Sequence, residues 1–399
     1  MKKLPQILCV LLVFILGGCA SVNEITPVKR NLFQGDIINS GIAFSSPDGT
    51  DQGIAERFPF ISGLLKENNL NLYLKDRLES VKKPGCKIIT EDLAAENQNA
   101  ISMVLSIDNE MHKTNGARAE IFVNASIVFF DFRTKSILAS YPFMVSYNRN
   151  FMGGPRNADI KGMFKEIFSK TPSNINIFDY AAKIIKEIPI YRSYSSTIGV
   201  RNVKLSAEAK KSTNEFGLND EDSKAYIASL FNGSISNTFK IPMIPYSKGG
   251  QILYRMAEGY ANENKRYNEI DMILKVPNTT YKIDLDLLKL YYMKGKAEDR
   301  GFCSYLFLSG IEVSAYNIEN KLLYKRRFAN PTAAVFREGG RASDKYADAD
   351  SSYNKNYRDP KKTAQLYFNF IGLFSAKIGE DLKTDSKNKP FVDILGRCQ

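Results

Sequence analysis

With 399 residues, 44% of them apolar, the chain exceeds one small core and suits two or three domains. It is basic, 55 Lys and Arg against 43 Asp and Glu for a formal charge of +12, but the clusters are short: Lys82-Lys83, Lys325-Arg326-Arg327 and Lys361-Lys362. A single histidine, five cysteines without a CxxC spacing, and no Walker, G-x-G-x-x-G or G-x-S-x-G motif exclude several chemistries. These are multi-histidine metal sites, cysteine zinc or redox centres, and the common nucleotide and serine-hydrolase sites.

The chain opens on Lys2-Lys3, an apolar run from Ile7 to Leu16, and Gly17-Gly18-Cys19. This order of basic, apolar and small residues reads as a signal peptide over 1–18. The apolar run is about 10 residues, half of the roughly 20 that a membrane-spanning helix needs. Leu16-Gly17-Gly18-Cys19 resembles the bacterial lipobox. The resemblance implies that the Cys19 thiol carries a diacylglycerol, that cleavage falls just before it, and that 19–36 is a lipidated tether. Ala20 stands where Asp would retain such a protein in the inner membrane, which implies the outer membrane and a periplasmic body. An exported chain meets no nucleic acid. Its net charge, +10 once Lys2 and Lys3 leave, faces lipid phosphates, lipopolysaccharide or peptidoglycan carboxylates instead. Of the cysteines, Cys86, Cys303 and Cys398 remain in an oxidising compartment, enough for one bridge of unspecified pairing.

Two similar successions of elements follow. Over 37–190 the pattern predicts a strand at Ile42-Ala43-Phe44 and a helix carrying Leu70, Tyr73, Leu74, Leu78 and Val81. Strands are then expected at Cys86–Thr90 and Ile101–Asn109, and a long hairpin at Glu120–Phe132 and Ile137–Tyr147, rich in β-branched and aromatic residues. After a long loop over 152–176 comes an amphipathic helix near Ile177–Ile188. The segment 191–237 reads as a linker with one helix, capped by Asn219 and striped by Tyr226, Ile227, Leu230 and Phe231. Over 238–399 the order returns: a strand at Ile241–Ile244 and a helix through Leu253, Met256, Ala257, Tyr260 and Ala261. Strands at Met272–Val276 and Ile283–Tyr292, a hairpin at Ser304–Tyr316 and Leu322–Phe328, a long loop over 329–360 and a closing helix at Lys361–Leu382 complete it.

Displacing the chain by 185 residues aligns 116–159 with 301–344 without gaps. Nine pairs are identical, among them Phe122/Phe307, Leu138/Leu323, Phe143/Phe328, Arg156/Arg341 and Asp159/Asp344. Average residue usage gives roughly three by chance. The fold class expected is therefore α+β: two tandem related domains, each a mostly antiparallel sheet with helices packed on one face. Asp131-Phe132-Arg133-Thr134-Lys135-Ser136-Ile137-Leu138 resembles the hairpin turn of the α/β module in curli-secretion and penicillin-binding-protein-activator lipoproteins, without its turn glycine.

The paired loops Phe151–Asp159 and Phe336–Asp344 are the one site-like feature. Their glycines permit positive φ, and Arg156 beside Asp159, like Arg341 beside Asp344, either closes a local salt bridge or offers a bidentate fork to an anionic ligand. His112 alone supports no triad. Asp108 and Glu110 could serve a carboxylate hydrolase, and Asp344–Asp350 lacks the glycine and distal glutamate of a calcium loop. The expectation is a lipid-anchored, non-enzymatic binding or scaffolding module without cofactor or metal. Its partners would be the membrane, other envelope proteins or anionic envelope polymers. A carboxylate-dependent hydrolase of envelope polymers and a secretion-pore subunit are the alternatives.

Overall fold

The computed structural model describes residues 32–46, 57–67, 70–90, 100–169, 171–194, 196–256, 271–298, 302–337 and 360–398. Leu32–Gln399 pack as one compact unit built on two sheets, an α+β architecture. The first sheet grows from the β-branched and aromatic run between 100 and 150. Strands β3 (Ala100–Asn115), β4 (Arg118–Asp131) and β5 (Ser136–Asn150) form an antiparallel meander. β1 (Gly35–Ser46) lies parallel to β3, and the short β2 (Cys86–Ile89) extends it. A parallel pair needs a crossover, supplied here by α1 (Ile61–Glu67) and α2 (Leu70–Glu79). α3 (Asn157–Phe168) and α4 (Ile177–Glu187) follow the meander. All four helices bury one face, where Leu64, Leu74, Phe164 and Ile185 share a core with Ile121, Val123, Ala125 and Phe143.

The second sheet has the same plan. β9 (Tyr281–Glu298), β10 (Phe302–Tyr316) and β11 (Leu322–Arg337) meander, with β6 (Ile198–Leu205) parallel to β9. α5 (Ala207–Glu215) and α6 (Asp220–Phe239) come after β6. α7 (Pro360–Gly372), a π-turn at Leu373–Lys377, α8 (Ile378–Thr384) and α9 (Lys389–Arg397) close the chain. Phe307, Ile311, Val313 and Phe328 form the covered face, and the opposite face leaves Met293, Leu306 and Val335 exposed.

One hairpin crosses from the second half to the first sheet. β7 (Gln251–Met256) runs antiparallel to β1 over Ala43–Ser46, and its partner β8 (Asp271–Lys275) meets β5 at Ser136–Lys275. Strands β1, β3, β4, β5, β8 and β7 thereby close a ring around Val104, Val128, Phe130, Ile252 and Leu274. Beyond the ring, α6 lies against β5: its Gly233 abuts the Pro142 carbonyl, and the following Met243 amide donates to Ser140 O at 2.9 Å. The first sheet is therefore covered on both faces.

Several sequence expectations change. The segment 191–237 is no simple linker, since it supplies β6, α5 and α6. The strand expected at Ile241–Ile244 has its counterpart in β6 instead, and of that stretch Ile244 alone bridges a strand, at Gly199. Leu253 and Met256 belong to β7 rather than a helix; Ala257, Tyr260 and Ala261 lie outside the described residues. Apolar residues at 252–254 and 256 fit either period in so short a run, and pairing with β1 decides it. The expected loop 152–176 contains α3, whose Ile160, Met163, Phe164 and Ile167 are buried at helical spacing. The expected tether 19–36 reaches only to about residue 32 among the described residues, because Phe33 is buried and Gly35 begins β1.

The two sheets share a topology, and the residues paired by the 185-residue displacement correspond only partly in register. Leu138 and Leu323 are each skipped in their hairpin ladders, and Phe143 and Phe328 both face helices. Phe122 does not lie on Phe307. It points away from α1–α4 toward Tyr367 of α7, whereas Phe307 lies on its sheet's helix-covered face. A one-residue offset between β4 and β10 exchanges the faces.

Gly199 is required by close packing. A Cβ there would stand 2.8 Å from Ile244 O, whereas one at Gly63 of α1 meets nothing within 4 Å. Gly199→Ala should cost about 1–3 kcal/mol of unfolding free energy, and Gly63→Ala should be neutral or stabilising by up to about 1 kcal/mol. Urea denaturation of the two variants checks the contrast.

Candidate functional site

The site begins with an irregularity in β3. The β3–β4 ladder is regular to Ile107↔Ala125 and resumes at Asn109↔Asn124, so Asp108 is an extra residue. A bulge of this kind re-aims a side chain. The Asp108 carboxylate accepts from Ser45 Oγ of β1 at 2.8 Å, from Ser106 Oγ at 2.5 Å, and from Ser126 Oγ of β4. Burial pushes its pKa up, while the three hydroxyls and the charge of Arg57 pull the other way without prevailing.

Arg57 is held on three sides. Its Nη1 donates to Ser45 O at 3.3 Å, its Nε lies 3.4 Å from Asp222 Oδ1 at the start of α6, and its guanidinium sits over the Phe58 ring. Between these groups and α6 is a cavity of about 50 Å³, lined by Asp108, Asn109, Asn232, Tyr226, Tyr246 and Tyr254 among others. Two amide oxygens there, Asn109 Oδ1 and Asn232 Oδ1, have no hydrogen-bond partner. Asn232 is buried at 2% exposure, and its Nδ2 donates to Ile244 O at 3.3 Å, so the oxygen is the atom left over. The arrangement is a partly anionic pocket with spare acceptors and aromatic walls. Its acceptors can hold a hydrogen-bond donor.

The sequence-derived candidates fall elsewhere. Glu110 faces the opposite layer from Asp108, accepting from the Phe60 and Ile61 amides at the head of α1, each at 2.8 Å. Burial outweighs those two bonds and pushes its pKa up to about 7. The two acids therefore cannot work as a pair. His112 packs edge-on against Phe60, and burial together with Lys113 lowers its pKa. Arg156 stands at the N-cap of α3, where its backbone N–H and its Nε donate to Asp159 Oδ2 at 2.9 and 3.2 Å. Asp159 lies in the first turn of α3, and those bonds hold its carboxyl below the usual range. The Arg156 side chain is 83% exposed. Gly153 and Gly154 take φ of +81° and +89°, as the turn into α3 requires. Arg341, Asp344 and Cys19 lie outside the described residues. Cys86, Cys303 and Cys398 form no disulfide with one another. Among the described residues no group of three or more His, Cys, Asp or Glu could hold a metal ion.

Sequence reasoning missed Ser45, Ser106, Ser126, Arg57 and Asn232. A signal existed for part of the set: Ser106-x-Asp108 and Asn124-x-Ser126 put polar residues on alternate positions of otherwise apolar strands.

No protein-family model matches the chain, and no curated protein matches it in sequence. Among solved structures it is similar to a neuraminyllactose-binding hemagglutinin homolog from Helicobacter pylori at 12% identity and a TM-score of 0.24. That match covers 41% of this chain and 87% of the other. A minor lipoprotein from Acinetobacter baumannii matches at 8% identity and a TM-score of 0.18, over 45% and 91% of the two chains. A lipoprotein from Caulobacter crescentus CB15 matches at 9% identity and 0.16, over 44% and 87%.

The Glu110 environment makes stability depend on pH. Its folded pKa of about 7 lies above the ordinary 4.5, so its contribution is fully present below about pH 4.5 and lost as pH rises through 7. Glu110→Gln should remove that part of the decline. Urea midpoints measured from pH 4 to 8 should fall less steeply for the variant than for the parent; parallel curves would show that Glu110 is not the titrating group.

Proposed function

We propose that the chain is a bacterial envelope lipoprotein, held in the outer membrane by lipid on Cys19 and facing the periplasm, whose body is a non-enzymatic binding or scaffolding module. The Asp108 cavity carries this reading. Its carboxylate is occupied by three serine hydroxyls, its arginine is ion-paired with Asp222 and donates to a carbonyl, and two amide oxygens are left without a partner. That set recognises a donor and offers no activated nucleophile. A carboxylate hydrolase would need two acids across one substrate, and Asp108 and Glu110 serve different layers. The two sheets are read as diverged copies of one ancestral unit, the crossing hairpin being a later link between them. Other envelope proteins and, through the chain's net positive charge rather than this cavity, anionic envelope polymers are the proposed partners, with the membrane reached through the lipid.

Among the described residues no helix is long and apolar enough to cross a membrane, and the proposal assigns attachment to Cys19. Cys19→Ser should abolish incorporation of labelled palmitate and move the protein out of the membrane fraction, or leave its precursor uncut. A variant that remains membrane-bound and cut at the same site would overturn the anchor.

A further inference from the structure

The cavity shows what kind of group it suits. Two carboxylates, Asp108 and Asp222, face one guanidinium, Arg57, so the surroundings carry an excess of negative charge when Asp108 is ionised. An anion is disfavoured, because Arg57 is already engaged by Asp222 and the Ser45 carbonyl. A divalent cation is disfavoured as well. It wants several oxygen ligands with lone pairs to give, and both oxygens of Asp108 already accept hydroxyl protons. Of the buried lining atoms without a hydrogen bond, Arg57 Nε stays ion-paired with Asp222, and Asn109 Oδ1 and Asn232 Oδ1 are neutral acceptors in search of N–H or O–H donors. Tyr226, Tyr246 and Tyr254 add aromatic walls, the surfaces that attract organic cations.

We propose that this cavity is a recognition pocket for one primary ammonium group, with Asn109 Oδ1 and Asn232 Oδ1 as its acceptors and Asp108 as its counter-charge. An ammonium has three donors and no acceptor, which matches the two unpartnered acceptors, while the Arg57 Nε donor, also without a hydrogen bond, stays 3.4 Å from Asp222 Oδ1. The volume of about 50 Å³ is on the scale of a few waters and admits the nitrogen and its first carbon. The rest of the ligand therefore stays outside. A lysine side chain and an ethanolamine headgroup both present this chemistry. The inference rests on the binding-module reading and names the ligand class for the same cavity.

Binding is read as a shift in melting temperature and by titration calorimetry on the chain without its lipid. The probes are methylammonium chloride, Nα-acetyl-lysine amide and glycerophosphoethanolamine, with sodium and tetramethylammonium chloride at equal ionic strength as controls. Methylammonium should stabilise the protein saturably and the controls should not. Of the other two probes, the tighter one identifies the source of the amine. Asn232→Leu keeps the bulk, removes the free oxygen and breaks only one long hydrogen bond, so it should fold and weaken binding at least tenfold. Asp108→Asn should weaken it further while keeping the shape. The proposal is overturned if methylammonium acts no differently from sodium, or if Asn232→Leu binds as well as the parent. Either result would leave a water-filled cavity only, while the palmitate experiment on Cys19 would still decide the anchor independently.

Discussion

The structure depends on covering the second face of the first sheet. β4 is buried along almost its whole length, on both faces, and an antiparallel strand so apolar cannot leave either face to water. The helices that follow the local chain, α1 to α4, cover one face only. The other is closed by elements from later in the sequence: the β7–β8 hairpin, α6 and, through Tyr367 against Phe122, α7. The helix α6 is buried on nearly every side as a result, with Tyr226, Ile227, Phe231 and Ile235 inside and even Ser223, Asn232 and Ser236 withdrawn from solvent. A helix of that character belongs in an interior. The two halves share a plan, and elements of both contribute to the clusters that cover the second face of the first sheet.

Within that interior a polar island survives. Burying a carboxylate costs several kcal/mol unless its lone pairs are satisfied. Asp108 meets the requirement with hydroxyls from three positions on three strands or bulge neighbours, and Arg57 lends a nearby positive charge. The expense is not needed for the fold, because the equivalent depth of the ring is filled by Val104, Val128 and Phe130 without any polar group. Asn109 and Asn232 add two unmet acceptors at the same level. Unsatisfied buried groups in a native protein call for a reason, and the donor proposed for this cavity supplies one.

Much of the architecture was legible because strands β3, β4, β5, β9 and β10 are long, apolar and bounded by polar turns. Helix α6 announced itself through Asn219, whose Oδ1 accepts from the Asp222 amide, and through acids in its first turn. The failures have physical causes. α3 was hidden by the Gly-Gly-Pro that precedes it, although that turn is what starts the helix. β7 was misread because six residues with apolar side chains at both periods are decided by tertiary pairing alone. The duplicated sequence located the hairpins correctly yet matched β4 to β10 with the wrong face outward, since identity scores weigh residues and a sheet weighs parity. The cavity was invisible for a different reason: its residues come from β1, β3, β4, β5, β7, α6 and the segments around Arg57 and Tyr246, and only folding brings them together.

The divergence between the halves follows from the same parity. In the first sheet the face away from its own helices is enclosed, and a polar group placed there becomes a buried site. In the second sheet the corresponding face is open, and it carries Arg201 paired with Asp284 and a Glu312 carboxylate between Lys325 and Arg327, alongside exposed Met293, Leu306 and Val335. Those charges lie at or near the surface, where each pair contributes about 1 kcal/mol or less. The cavity beside Asp108 forms where the crossing hairpin and α6 seal the first sheet. The link that makes the two halves one folding unit thus also encloses the polar island proposed above as a recognition pocket.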